Sequence, residues 1–164
     1  MAVMAAGTDS ISEVLRVRDM ARADLHTLLA RHALQLECVE DGAPIPGSFW
    51  GEPEAGVIGS TVHVRSDTPV HSLLHEASHL AVLSAERRAQ VDTDASDSQH
   101  EEDAACYLQI VLADRLPGVG RARIMQDMDA WGYSFRLGSA CAWFETDAED
   151  ARSFLVAQGL LPAA

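Results

Sequence analysis

Residues 68–82 read Thr-Pro-Val-His-Ser-Leu-Leu-His-Glu-Ala-Ser-His-Leu-Ala-Val, and this stretch decides the fold. A threonine followed by a proline is a common helix start, because threonine can cap the helix and proline suits its first position. Apolar side chains then recur at helical spacing, at Leu73, Leu74, Ala77, Leu80 and Val82. The pattern predicts an amphipathic helix that begins at Thr68-Pro69, with Thr68 as its N-cap.

Inside this helix, residues 75–79 have the form H-E-x-x-H. Side chains four residues apart lie one above the other on a helix, so the rings of His75 and His79 can reach one metal ion. In zinc hydrolases with this motif, the glutamate acts as the general base, and here that residue is Glu76. The motif predicts one zinc ion per chain and requires a third protein ligand from another part of the sequence.

The third ligand is expected at the start of a second helix, where Ser98 to Glu101 form a capping box. Glu101 leads a stripe of apolar residues that would point inward, whereas Glu102 leads a stripe of small ones that would let two helices approach. If Glu101 is engaged by the capping box, Glu102 is the freer ligand. Both glutamates remain candidates, and Asp103 and His100 are weaker ones.

With these residues in place, the chain resembles the ImmA/IrrE group of small gluzincin-type metallopeptidases over about residues 47–116. The resemblance implies that His75, His79 and either Glu101 or Glu102 bind zinc, and that Glu76 is the general base. It also implies that the strand before the active helix guides the backbone of a peptide substrate.

Length and composition are those of one soluble domain covering residues 1–164. A formal net charge of −13 argues against binding to nucleic acid or to anionic membranes, which requires basic patches. No apolar run is long enough to span a membrane, and the first ten residues lack a basic segment of a secretory signal. The expected location is the cytoplasm, with the three cysteines reduced.

Elements before the motif follow from the same kind of pattern. A capping box at Ser10 to Glu13 and helical spacing predict a first helix up to about Arg31. The loop at 40–56 is rich in glycine and proline, with Phe49 and Trp50 expected to anchor it to the core. Residues 57–64 are predicted to form one strand that pairs antiparallel with residues 34–39.

After the motif, helices are expected at 98–115, 120–131 and 147–158, the last opened by a capping box at Thr146. The metal-site core would thus cover about 47–116 and a helical C-terminal part about 119–160. Between the last two helices, residues 131–138 should form a turn near the site. Tyr133 in that turn is a candidate donor to the oxyanion of a peptidase reaction, as are Tyr107, His71 and Arg136.

The sequence therefore predicts an α+β, zincin-like single domain, predominantly helical with a short antiparallel sheet. The predicted function is that of a zinc-dependent hydrolase, a metallopeptidase whose substrate is a peptide or protein. The alternative is a non-catalytic metal-binding protein, in which zinc is structural or supports an interaction surface. His71, one turn before His75, decides between them: as a fourth ligand it would close the site, and otherwise it is a supporting or surface residue.

Overall fold

The structure is a computed structural model that describes residues 13–95 and 98–163. In this part the chain is an α+β single domain with seven α-helices and a small mixed sheet. In chain order the elements are α1 (Arg22–Ala30), β1 (Gln35–Cys38), β2 (Gly56–Ile58), β3 (Thr61–Val64), α2 (Val70–Val82), α3 (Ala85–Arg88), α4 (Gln99–Ala113), α5 (Gly120–Trp131), α6 (Ala140–Thr146) and α7 (Glu149–Ala157).

Helix α2 is the centre of the core. Twelve of its thirteen residues are buried, and Glu76 is the exception. Leu73, Leu74 and Leu80 are completely buried, and α2 packs against both α4 and β3. Burying one leucine is worth about 1.5–3 kcal/mol, so the apolar stripe of α2 is a major source of stability. The helix predicted around the motif is confirmed.

The predicted N-cap of α2 is wrong. Thr68 does not cap the helix, whose N-cap is Pro69. Instead, the Thr68 hydroxyl accepts a hydrogen bond of 2.9 Å from the backbone N–H of Arg65 and closes the turn that follows β3. Threonine is equally suited to both roles, because its hydroxyl can satisfy a backbone donor in a turn as well as at a helix end.

The sheet has the strand order β1-β3-β2 and differs from the predicted antiparallel pairing. Residues 57–64 form two strands, because a turn at Gly59-Ser60 folds β2 back on β3 as an antiparallel hairpin. Gly59 has a φ of +59°, which glycine adopts without strain. β1 pairs in parallel with the other edge of β3. Parallel strands need a long crossover connection, and the chain between β1 and β3, which includes β2, provides it.

The predicted first helix is only partly present. Ser10 lies outside the described residues, and α1 begins at Arg22. Before it, the backbone of residues 15–18 pairs with the segment that leads into α2, through bonds such as Val17 N–H to Thr68 O at 2.8 Å. In the part of this segment that the structure describes, these long-range hydrogen bonds accompany a short 3-10 helix at Val17–Asp19 in place of an α-helix. Val14 and Val17 are still buried.

Helices α4 and α5 match the predicted ranges closely, whereas the region before α7 does not. The chain forms an unpredicted helix, α6, which Ser139 caps by accepting from Ala142 N–H at 3.1 Å. Thr146 ends α6 and bonds to the carbonyl of Ala142 at 2.7 Å. It therefore does not open α7, which begins at Glu149 without a side-chain cap.

Among the described residues, no helix combines the length and the apolar character that a membrane span requires.

Candidate metal centre

Three side chains converge on one point between α2 and α4. The Nε2 atoms of His75 and His79 lie 3.1 Å apart. The carboxylate of Glu102 lies 3.1 Å from His75 Nε2 through Oε1 and 2.9 Å from His79 Nε2 through Oε2. The three ligand atoms all lie within 4.8 Å of one another. Two imidazoles and a carboxylate thus share one small volume, which makes this a candidate metal site.

The elements that hold these side chains explain the convergence. His75 and His79 are one turn apart on α2, and their rings meet edge to face with centroids 4.6 Å apart. Glu102 lies in the first turn of α4, the helix that packs most extensively on α2. Ala105 and Cys106, which follow Glu102 on the same face, are fully buried and small, so the two helix backbones can approach closely.

The structure distinguishes between the two candidate glutamates. Glu101 points to Arg87, whose guanidinium binds its carboxylate at 2.6 and 3.1 Å. Ser98 accepts a hydrogen bond from Glu101 N–H at 3.2 Å, which is the serine half of the predicted capping box. Glu102 alone of the two joins the histidine cluster. Of the weaker candidates, Asp103 accepts a bond from Gln99 at 2.9 Å, and neither it nor His100 belongs to the cluster.

The donor set fits a divalent metal such as zinc. With zinc–ligand bonds of about 2.0–2.2 Å in a tetrahedron, neighbouring ligand atoms lie about 3.4 Å apart, close to the observed separations. Burial would raise the pKa of Glu102, but in the metal-free protein the neighbouring His75 and His79 rings outweigh it and hold that pKa well below its usual value, so the carboxylate is ionised. When the two imidazoles are neutral with lone pairs on Nε2, those lone pairs and the ionised oxygen repel one another unless a cation lies between them.

A buried hydrogen-bond network supports His75 from behind. The Nδ1 atom of His75 lies 2.7 Å from Gln109 Oε1. The amide nitrogen of Gln109 donates to the carbonyl oxygen of His71 at 3.0 Å and to the hydroxyl of Tyr133 at 3.3 Å. Gln109 was not predicted as a site residue. Its spacing from Glu102, seven residues or two helical turns, was the available signal, because that spacing puts both side chains on one face.

His71 lies outside the metal cluster. Its Nδ1 is 3.1 Å from the Tyr133 hydroxyl, and its ring packs against Trp131 with centroids 5.2 Å apart. The side chain is fully buried, and burial, together with the charge of His75, lowers its pKa to about 3. A neutral, buried imidazole in this position supports the site and does not contribute a fourth ligand from Nδ1.

Tyr133 is near the site, as expected, but on the far side of His75. Its hydroxyl is engaged with His71 and Gln109, and burial raises its pKa. Tyr133 does not line the cavity in front of the metal cluster, nor do the other oxyanion candidates, Tyr107, His71 and Arg136. This placement favours a positioning role for Tyr133.

A cavity of about 280 Å³ opens in front of the cluster. Glu76 lines it together with His75, His79 and Glu102. Burial raises the pKa of Glu76, while the nearby His79 and His75 lower it in part. The motif glutamate thus faces the space in which a substrate would lie, with a carboxylate that binds a proton more readily than an exposed one.

Phe49 and Trp50 also line this cavity, contrary to the expectation that they anchor their loop in the core. They are 56% and 49% exposed. The loop is held instead by hydrogen bonds to its backbone carbonyl groups: Val57 N–H donates to Gly47 O at 3.1 Å, and the Ser48 hydroxyl donates to Glu54 O at 3.1 Å. The core therefore does not need the two aromatic rings.

Comparisons of the chain with protein-family models, with curated proteins and with solved structures find no match. The resemblance to the ImmA/IrrE group remains a prediction from the motif.

Proposed function

We propose that this chain is a zinc-dependent hydrolase of zincin type, a metallopeptidase that acts on a peptide or protein and uses Glu76 as general base. The observation that carries the proposal is the convergence of His75, His79 and Glu102 at the wall of a cavity that Glu76 also lines. Two histidines and one glutamate are a ligand set of catalytic zinc sites, in which a fourth position is left for water or substrate.

The alternative is a protein in which the metal is structural or supports an interaction surface. A structural zinc site is closed by four protein ligands. Within residues 13–95 and 98–163 the cluster has three members, and His71 directs Nδ1 to Tyr133. A three-ligand cluster beside a cavity favours the catalytic reading.

The protein groups have separate roles in the proposed reaction. When bound, zinc acts as a Lewis acid that polarises a carbonyl and acidifies water. Glu76 takes a proton from the attacking water and can return it to the leaving amine. His75 and His79, whose Nε2 atoms converge, would hold the metal, and Gln109 fixes the orientation of the His75 ring.

A second cavity supports an extended substrate. It has a volume of about 610 Å³ and shares Gln99 with the cavity at the metal cluster. Phe135, Trp143 and several polar side chains line it further along the surface. A peptide substrate extends beyond the bond that is cleaved, and the second cavity offers room for its residues on one side of that bond.

Metal content tests the site. Protein purified with zinc and dialysed should contain about one zinc per chain by elemental analysis, and His79→Ala should contain almost none. His26→Ala is the matched control, because His26 is an exposed histidine on α1. Full zinc retention by His79→Ala contradicts the proposed centre.

Cleavage tests the chemistry. Glu76→Gln should retain zinc and lose hydrolysis of a mixed peptide library monitored by mass spectrometry, whereas Glu40→Gln, an exposed loop substitution with the same charge change, should behave like the unmodified protein. If the zinc-loaded protein and Glu76→Gln are equally inert toward the library, the non-catalytic alternative is favoured.

A further inference from the structure

Two adjacent aromatic side chains are exposed at the metal cavity. Among the described residues, the exposed large hydrophobic side chains are Phe49, Trp50, Ile58 and Leu137. Phe49 and Trp50 both line the cavity and meet edge to face, with ring centroids 5.1 Å apart. Exposed aromatic groups of this kind are enriched where proteins bind ligands. Their position indicates contact with whatever occupies the cavity.

The loop that carries these rings has a fixed base. Gly47 lies so close to Val57 that a Cβ at position 47 would be 2.9 Å from the backbone nitrogen and carbon of Val57. Gly56 is equally close to the start of the loop, because a Cβ at position 56 would lie 2.5 Å from Ser48 N. Because backbone meets backbone at both glycines, the aromatic pair is held at the cavity wall.

The cavity is acidic as well as aromatic. Glu76, Glu102 and Asp94 line it, and none of its described lining residues is an arginine; the sequence contains no lysine. The whole chain carries a formal net charge of −13, which attracts cations over a longer range.

We propose that Phe49, Trp50 and Asp94 bind the guanidinium group of an arginine in the peptide substrate, next to the bond that is cleaved. A guanidinium is planar, stacks on aromatic faces and pairs with a carboxylate, so it matches this combination of groups. The position of this arginine relative to the cleaved bond rests on the proposed function, whereas the binding of arginine does not. This inference deepens the proposal by naming the side chain that the site selects.

Tryptophan fluorescence provides a direct measurement of binding. Trp50 is half exposed and lines the metal cavity, whereas Trp131 and Trp143 are 3% and 4% exposed. Trp143 also lines the second cavity, so the part of the emission change that is lost in Trp50→Phe reports on the aromatic pair. Zinc-loaded Glu76→Gln is titrated with blocked Ala-Ala-Arg-Ala-Ala and with the same peptide carrying citrulline or glutamate in place of arginine. Citrulline keeps the shape of arginine and removes its charge. The arginine peptide should bind about tenfold more tightly than the citrulline peptide, and the glutamate peptide most weakly.

Variants assign the binding to this wall. By calorimetry, Trp50→Ala, Phe49→Ala and Asp94→Asn should each reduce the preference for arginine over citrulline at least about threefold. Leu137→Ala is the control for the aromatic variants, since Leu137 is as exposed as Trp50 and does not line the cavity. Glu40→Gln is the control for the charge change. Circular dichroism verifies that each variant is folded. The comparison of the three peptides uses protein in which Phe49, Trp50 and Asp94 are intact, so its result does not depend on the folding of these variants.

Cleavage of the same three peptides by the zinc-loaded unmodified protein separates this inference from the proposed function. Tighter binding of the arginine peptide without cleavage supports arginine recognition and contradicts the hydrolase. Cleavage of all three peptides with equal kcat/KM and equal affinity supports the hydrolase and overturns arginine recognition. An absence of binding by any peptide, or a preference that survives Trp50→Ala and Asp94→Asn, also overturns it.

Discussion

Gln109 and His75 are joined by a hydrogen bond of 2.7 Å between Oε1 and Nδ1, which links α4 to α2 directly behind the metal-ligand face. The orientation of the Gln109 amide follows from its other end, where Nε2 donates to the carbonyl oxygen of His71 at 3.0 Å. A carbonyl can only accept, so Oε1 must face His75. In neutral His75 the proton is therefore on Nδ1, and Nε2 has a lone pair for a metal.

Replacing this glutamine tests its positioning role. Gln109→Leu should lower zinc affinity about 10–100-fold, the usual effect of removing a partner of a ligand histidine. The measurement is competition with a chromophoric chelator, with Gln158→Leu at an exposed position as control. Tyr133→Phe removes one of the two acceptors of the Gln109 amide nitrogen and should have a smaller effect. Unchanged affinity of Gln109→Leu would show that the His75 ring is held by packing alone.

The two neighbouring glutamates provide a matched comparison. Glu102→Ala should reduce zinc affinity by more than about a hundredfold, since loss of a ligand should exceed loss of a ligand's partner. Glu101→Ala should change it little, because that carboxylate pairs with Arg87. The partly exposed pair should contribute at most about 1 kcal/mol to stability. Equal zinc loss in both variants contradicts the assignment of Glu102.

Glu54 should make stability depend on pH in the metal-free protein. It is buried, and its carboxylate accepts a bond of 2.5 Å from Trp131 Nε1. Burial is the main cause that raises the pKa of Glu54 from 4.5 to about 7; the bond from Trp131 lowers this pKa, and the charge of Glu76 raises it. The folded state thus binds this proton more tightly than the unfolded state. The resulting stabilisation is complete below pH 4.5 and is lost as the pH rises to about 7.

The size of this effect is on the order of 3 kcal/mol. Glu54→Gln keeps an acceptor for Trp131 without a titrating group, so it should flatten the dependence between pH 4.5 and 7 and increase stability at pH 8. Urea unfolding at several pH values measures both changes. The exposed Glu40→Gln should retain the slope of the unmodified protein, and an identical slope for Glu54→Gln would contradict the prediction.

The close approach at Gly56 should also be measurable. Gly56→Ala places a methyl group against Ser48 N and the carbonyl of Pro46, and should destabilise the fold by about 1–3 kcal/mol or more. Gly51→Ala is the control: its Cβ meets no atom within 4 Å, and its φ of +85° should cost about 1–2 kcal/mol. Thermal unfolding measures the difference. A shift in Trp50 emission for Gly56→Ala only would show that the loop base positions the aromatic pair.

Predictions from the sequence succeeded where hydrogen bonds and side-chain contacts are local. Ser98 caps α4, and the apolar stripe of α2 is buried as its spacing predicts. The errors occurred where distant segments compete for the same groups. Thr68 is a local exception, since its hydroxyl closes a turn with Arg65 N–H where it was expected to cap a helix. Elsewhere, backbone groups of residues 15–18 pair with the chain before α2. Spacing along the chain contains no information about such partners.

The sequence by itself determined that His75 and His79 share one face beside Glu76, because the spacing of four residues and the pitch of a helix fix that geometry locally. Only the tertiary structure decided the rest of the site. The packing of α4 on α2 brings Glu102 and Gln109 to the two sides of His75, while Arg87 engages Glu101. It also leaves Phe49 and Trp50 at the cavity, since their loop is held by contacts between its own two ends, such as the hydrogen bond from Val57 N–H to Gly47 O.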